Sequence, residues 1–258
     1  MNENYTRKLA KEGKRADGRS LDQFREIKLE TNVIKSAEGS ARIKLGNTQL
    51  LVGVKAKVME PYPDTPNEGT LIVDTELVPI ASPEFETGPP GEKAVEIARV
   101  VDRGIRECKA VDFEKLCIAE GEAVWCLNID IHVINFDGNI LDAAGLGAIA
   151  ALMTAKLPKY DIENKKIDYN TPEAERTPLP LKDFPLPITI LKISDKLLVD
   201  PSDEEEKALD ARLTITSTKN GDLCAMQKGG KGFFTKDEAK QAADISIEKG
   251  KKLRKLLK

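Results

Sequence analysis

The stretch from Phe136 to Ala155, FDGNILDAAGLGAIAALMTA, joins a polar Asp-Gly turn to a run of small and apolar residues that reads as a helix. The residues before it, LNIDIHVI (127–134), have the alternation of a strand with one buried face. Backbone N–H groups converge where such a helix begins, and that end can hold a phosphate. A site that uses free phosphate calls for an arginine there, because the planar guanidinium forks onto phosphate oxygens and stabilises developing charge. The chain has no arginine between Arg106 and Arg176. The turn offers Asp142, Ala143 and Ala144 instead, which repel or ignore an anion.

Outward from that turn, the 258 residues suffice for one large or two small domains, with roughly 70–75% of the unfolded surface buried and no need of a disulfide or metal staple. No apolar run approaches the ~20 residues of a membrane span, and the N-terminus, MNENYTRKLAKEGKRADGR, lacks the apolar centre of a signal peptide. A cytoplasmic location is expected. Cys108, Cys117, Cys126 and Cys224 show no metal-ligand spacing and are expected as buried, reduced thiols. No metal and no cofactor is expected. The net charge of −3 excludes a protein that coats nucleic acid by bulk charge and leaves room for local basic patches. His132 is the only histidine, which excludes a histidine triad or a multi-histidine metal site, and its strand setting suggests packing. No Gly-Lys-Ser/Thr phosphate loop occurs.

The pattern predicts an N-terminal arm over 1–30, with a helix in Glu3 to Lys14 and a turn at Asp17-Gly18-Arg19-Ser20. A first domain over 31–160 follows. It comprises a hairpin turned at Gly46-Asn47, a strand in LIVDTELVPIA, a helix in GEKAVEIARVVDRGIREC, further strands over 116–134, and the small-residue helix over 140–157, closed by Pro158. On the long helix, Val95, Ala98, Val100, Val101, Ile105 and Cys108 are expected to share the buried stripe. A polar, proline-dotted tract over 161–186 reads as a linker. The second domain, 187–258, restarts the same grammar, with a hairpin turned at Asn220-Gly221 and a terminal helix opened by a Thr235/Glu238 capping box. Strand pairs followed by a helix thus occur twice, giving an α+β architecture of two sheet-and-helix halves.

Three segments in order, IARVVDRGIREC, GNILDAAGLGAIAAL and LLVDPSDEEEKALDARLTI, resemble the RNase PH family of phosphate-dependent 3′→5′ exoribonucleases. GKRADGR, GSARIKLGNT, VDRGIRE and QKGGKGFF extend the resemblance to about residues 8–255, and point within the family to the non-catalytic RNase PH-like subunit of the archaeal exosome ring. The resemblance implies the RNase PH-like fold and a role in RNA degradation without catalytic residues of its own. It also implies a catalytic sister subunit with which three pairs close a ring, cap proteins carrying RNA-binding domains, and single-stranded RNA. Active members carry Gly-Thr-Arg for the attacking phosphate, where Asp142, Ala143 and Ala144 stand here. They also place two carboxylates six residues apart after an acidic run. The matching run here is Asp200 to Glu206, with Asp210 the next carboxylate, four residues on, which reads as a shortened relay. The family's Arg-x-x-Arg corresponds to Arg103 and Arg106, and Arg99, four residues before Arg103, extends the stripe as candidate RNA-backbone contacts.

Each feature also admits a plainer reading. Arg99, Arg103 and Arg106 could lie on a solvated helix face with Glu96 and Glu107 as partners. The Asp203–Glu206 run could be a solvated acidic loop or the first turn of a short helix. Lys228-Gly-Gly-Lys-Gly232 could be an anion nest or a glycine turn. The alternative function is a phosphorolytic exoribonuclease active by itself, with Lys109 or Lys156 replacing the missing arginine, although lysine binds phosphate only as a point charge.

Overall fold

The computed structural model describes residues 3–257; residues 1, 2 and 258, at the outer ends of the expected arm and second domain, lie outside them. After helix α1 (Glu3–Lys11), the alternating segments form β1 (Ile27–Thr31), β2 (Gly39–Leu45), β3 (Thr48–Met59) and β4 (Thr70–Leu77). Helix α2 (Glu92–Glu107), β5 (Cys117–Ala119) and β6 (Ala123–Asn135) follow. These strands make one sheet in the order β1-β2-β3-β6-β4, with β5 on the start of β6. Only β4 runs parallel to its neighbour. That pairing needs the long crossover that α2 occupies.

Helix α3 (Ile140–Thr154) has every residue from Ile140 to Leu152 buried. It packs against β2 and β3 on one side and against the second half on the other. A helix that is apolar all round is one covered all round. Its small residues set the spacing: a Cβ on Gly145 would stand 2.3 Å from Pro187 Cδ, and one on Gly147 would stand 2.2 Å from Ile43 Cδ1. One apolar core consequently runs through both halves.

The helix ends at Thr154, short of the expected Leu157, because β7 (Lys156–Leu157) leaves it to pair with β10 (Thr177–Pro178). Between these lies a small hairpin, β8 (Lys159–Asp161) with β9 (Lys166–Asp168), so the tract read as a linker carries hydrogen-bonded structure. The second half holds β11 (Leu186–Ile193), β12 (Lys196–Val199), α4 (Asp203–Lys207), β13 (Ala211–Ser217), β14 (Leu223–Gly229) and α5 (Lys236–Leu253). Its sheet is antiparallel in the order β12-β11-β13-β14. The expected capping box opens α5: Thr235 Oγ1 accepts from the Glu238 N–H at 3.3 Å, and Glu238 Oε2 accepts from the Thr235 N–H at 2.7 Å. The α+β reading holds.

Two further expectations need correction. The buried stripe of α2 is Ala94, Ile97, Val100, Val101, Gly104 and Ile105, whereas Val95 is 43% exposed. The helix is rotated so that the 94-97-101-105 line meets the core, and Val95 fronts a cleft. His132 is not packed. It stands on the outer face of β6, half-exposed, with Nδ1 3.1 Å from Glu76 Oε2.

Candidate functional site

Asn139 caps α3 from a left-handed backbone (φ 50, ψ 44). Its N–H donates to Glu206 Oε1 at 2.8 Å, and its side-chain amide donates to Asp142 Oδ2 at 3.0 Å and Asp200 Oδ1 at 2.9 Å. The preceding Gly138 has φ 79, and a Cβ there would stand 2.5 Å from Pro201 O, so the turn is closed by the second half's own backbone. Three carboxylates therefore meet at the helix start where the sequence showed no arginine. Asp200 and Glu206 are themselves six residues apart, which corrects the shortened relay. Asp210 belongs elsewhere, accepting from Arg7 Nη1 at 2.7 Å and from the Ser194 N–H at 2.5 Å.

Burial alone would raise the Asp200 carboxyl, but hydrogen bonds and charge from Arg25 hold it below the usual carboxylate range. Asp142, wholly enclosed, is pushed up to about 7, chiefly by burial, with the Asp200 charge adding to it and the Asn139 hydrogen bond opposing it. Burial also raises Glu206, against the pull of Lys93 and the Asn139 N–H. The cations at hand are engaged. Arg19 Nη1 and Arg25 Nη2 lie 2.7 and 2.8 Å from Asp200, and Lys93 Nζ lies 3.9 Å from Glu206 and 3.8 Å from the Phe136 ring centroid. A phosphate brought here would meet carboxylates and no uncommitted guanidinium.

The acidic run does form a short helix, α4, with a Ser202/Glu205 capping box. It is not solvated throughout, because the N-terminal arm supplies arginines to it. Arg15 forks onto Glu205 at 2.9 and 2.6 Å with both side chains enclosed, and also donates to Val199 O and Asp200 O. Sequence reasoning missed this clasp. GKRADGR shows the arginines, but nothing in its spacing points to partners more than 180 residues away.

Arg99, Arg103 and Arg106 are all exposed on α2, yet their settings differ. Arg106 forks onto Asp102 at 2.8 and 3.2 Å, donates to Leu71 O at 2.9 Å, and borders a 500 Å³ hollow with Tyr62, Lys109 and Phe113. Arg99 and Arg103 have no hydrogen-bond or ion-pair partner among the described residues. They form the ridge between a 700 Å³ cleft walled by α2, β13 and β14 and a 490 Å³ cleft beside β4. Glu96 and Glu107, the partners of a plain solvated face, do not take them. Glu96 instead accepts from Arg212 Nη2 and, at 3.3 Å, from Gln227 Nε2.

The 228–232 segment is a turn, with φ 78 at Gly230 and Lys228 Nζ donating to Gly230 O at 2.6 Å. All four cysteines are free, and only Cys126 is fully buried. Among the described residues no cluster of His, Cys, Asp or Glu could hold a metal ion, and no helix is long and apolar enough to cross a membrane.

Residues 23–158 match the 3′ exoribonuclease family, domain 1, and residues 183–249 match domain 2 of the same family, the RNase PH domains. The exosome complex component Rrp42 of Thermococcus onnurineus (strain NA1) is 51% identical over 95% of the chain and 90% of the relative. A solved structure described as the Archaeoglobus fulgidus exosome with RNA bound to the active site contains a chain of 48% identity and TM-score 0.91, covering 99% of this chain and 97% of that one. A chain of an archaeal exosome core superposes with TM-score 0.87 at 44% identity, over 99% and 96% of the two chains.

Proposed function

The chain belongs to the RNase PH family of 3′ exoribonucleases, and from that premise we propose that it is the non-catalytic subunit of an archaeal exosome ring, acting in 3′→5′ RNA degradation. One observation carries this reading. The α3 turn is filled by Asp142, Asp200 and Glu206, while two arginines without a partner among the described residues stand on the neighbouring α2. The first feature removes phosphate activation, and the second leaves a grip for an RNA backbone.

The subunit pairs with a catalytic RNase PH-like sister, and three such pairs close a cytoplasmic ring that cap proteins with RNA-binding domains cover on one face. Repeated heterologous contacts that close give a ring. Arg99 and Arg103 hold single-stranded RNA near the sister's site, with Arg106 continuing the stripe beside them. Arginine forks on successive phosphates hold RNA irrespective of sequence and position it for attack, which is catalysis by orientation.

The alternative, a phosphorolytic enzyme active by itself, draws no support from either lysine. Lys156 follows the far end of α3, about 20 Å from Asp142 at 1.5 Å per helical residue, and pairs with Glu173 at 3.0 Å. Lys109 borders the Arg106 hollow.

RNA degradation with phosphate and magnesium by this chain, by its sister and by the two together tests the proposal. The expected result is silence from this chain alone and full activity only in the mixture. Arg99→Glu with Arg103→Glu is expected to lower the RNA affinity of the mixture; unchanged affinity would overturn the RNA-holding role.

A further inference from the structure

Arg99 and Arg103 have no partner among the described residues although acids lie close to them on the same helix. An acid three or four residues before a base is the favourable order for a helical ion pair, and the reverse order is weaker. Glu96 stands in that favourable order to Arg99, and Asp102 to Arg106, whereas Glu107 follows Arg103 in the weaker one. Asp102 is occupied by Arg106. Glu96 is drawn off the helix face altogether, by Arg212 of β13 and Gln227 of β14.

The hold on Glu96 is built into the sheet. Arg212 pairs with Gly229 in the β13/β14 ladder, and a Cβ on Gly229 would stand 2.7 Å from Arg212 Nη2, so the missing side chain leaves room for the guanidinium. Arg212 is 17% exposed and Glu96 29%, which protects their pair from the solvent screening that weakens open surface pairs.

We propose that Arg212 is a positioning residue of the RNA face: by holding Glu96 against the second sheet it keeps Arg99 free for phosphate. This rests on the reading of Arg99 and Arg103 as RNA contacts. With Arg212 removed, Glu96 turns back along α2 and captures Arg99, so one phosphate contact is lost without any change to the contacting arginine itself.

The test is the affinity of the assembled ring, this chain with its catalytic sister and without cap proteins, for a fluorescent single-stranded oligoadenylate in phosphate-free buffer across a salt titration. Arg212→Leu should weaken binding about threefold at low salt and reduce the salt slope by up to about one. Glu96→Gln should alter the otherwise unchanged ring less than about twofold, yet restore the affinity and slope of Arg212→Leu, and that restoration should vanish when Arg99→Ala is added. Should Arg212→Leu not assemble, Arg212→Gln takes its place in the same cycle. An equal effect of Glu96→Gln with and without Arg212 would mean simple additive charge, and would overturn the proposal. If Arg99→Ala with Arg103→Ala leaves affinity unchanged, the RNA face itself is refuted. If that pair weakens binding while Arg212→Leu does not, only the positioning role of Arg212 falls.

Discussion

Asp142→Asn is expected to stabilise the protein in alkali and to flatten part of its stability profile. Asp142 is fully enclosed at the start of α3, and its carboxyl is pushed from 3.8 to about 7. Between those values the folded chain keeps a proton that the unfolded chain releases. This group's contribution to stability is therefore greatest below about 3.8, falls as pH rises, and levels off above about 7. A shift of this size corresponds to about 4 kcal/mol in total, of which about 3 kcal/mol falls between pH 5 and 8. Asparagine copies the shape of the protonated acid and can still accept from Asn139, but it does not titrate. Glu206, raised by burial, and Asp200, held low by Arg25, are present in both proteins, so their effects largely cancel in the comparison. Urea unfolding of both proteins at pH 5 and pH 8 reads the result directly. The variant should gain on the parent by up to about 3 kcal/mol between the two pH values. A stability difference that is the same at both would refute the reasoning, because Asp142 would then be ionised throughout.

Arg15→Ala should cost about 3–5 kcal/mol, since it leaves Glu205 enclosed without its forked partner. Arg15→Met with Glu205→Leu should cost clearly less, and thermal unfolding of the two variants ranks them. Gly145→Ala forces a methyl group to 2.3 Å from Pro187 Cδ and should cost about 1–3 kcal/mol, read as a fall in unfolding temperature.

The two-sheet plan was legible because each signal was local. Alternation marked β3 and β6, Asn220-Gly221 marked the second hairpin, and Thr235 with Glu238 marked the start of α5. Misreadings arose where a distant segment decided the outcome. Val95 fronts a cleft and not the core because the phase of α2 is set by packing on β4 and α3, which periodicity alone does not orient. Lys156-Leu157 left the helix because Thr177-Pro178 offers it a ladder. At the site, the absent arginine was visible as an absence, and the arginines of α2 were visible as a stripe. What fills the turn was not, since Glu206 and Asp200 reach Asn139 across more than sixty residues. Nor could spacing distinguish Arg99 from Arg106, because Glu96, the acid placed to pair with Arg99, is held by Arg212, while Asp102 is taken by Arg106.

Filling by acids also decides what a repair of the turn would do. Glu206 accepts from the Asn139 N–H, and Asp142 and Asp200 accept from the Asn139 side chain, so the three acids tie down the turn they block. Placing an arginine at Ala144, where the sequence resemblance sets the family's arginine, would not create a phosphate site. Ala144 has no exposed surface, and its surroundings form the core shared by the two halves. A guanidinium forced into that core would lose its hydration with no room for its length, and Asp200, at the start of the helix, is already bound by Arg19 and Arg25. The expected outcome is a marked loss of thermal stability and no phosphate-dependent release of nucleoside diphosphates by the chain alone. Phosphorolysis by a stably folded Ala144→Arg variant would show that the acids yield easily and that a single side chain separates this subunit from an active enzyme. The structure argues for a larger separation, because the acids, the arm arginines that hold Asp200 and the buried face of α3 would all have to change together.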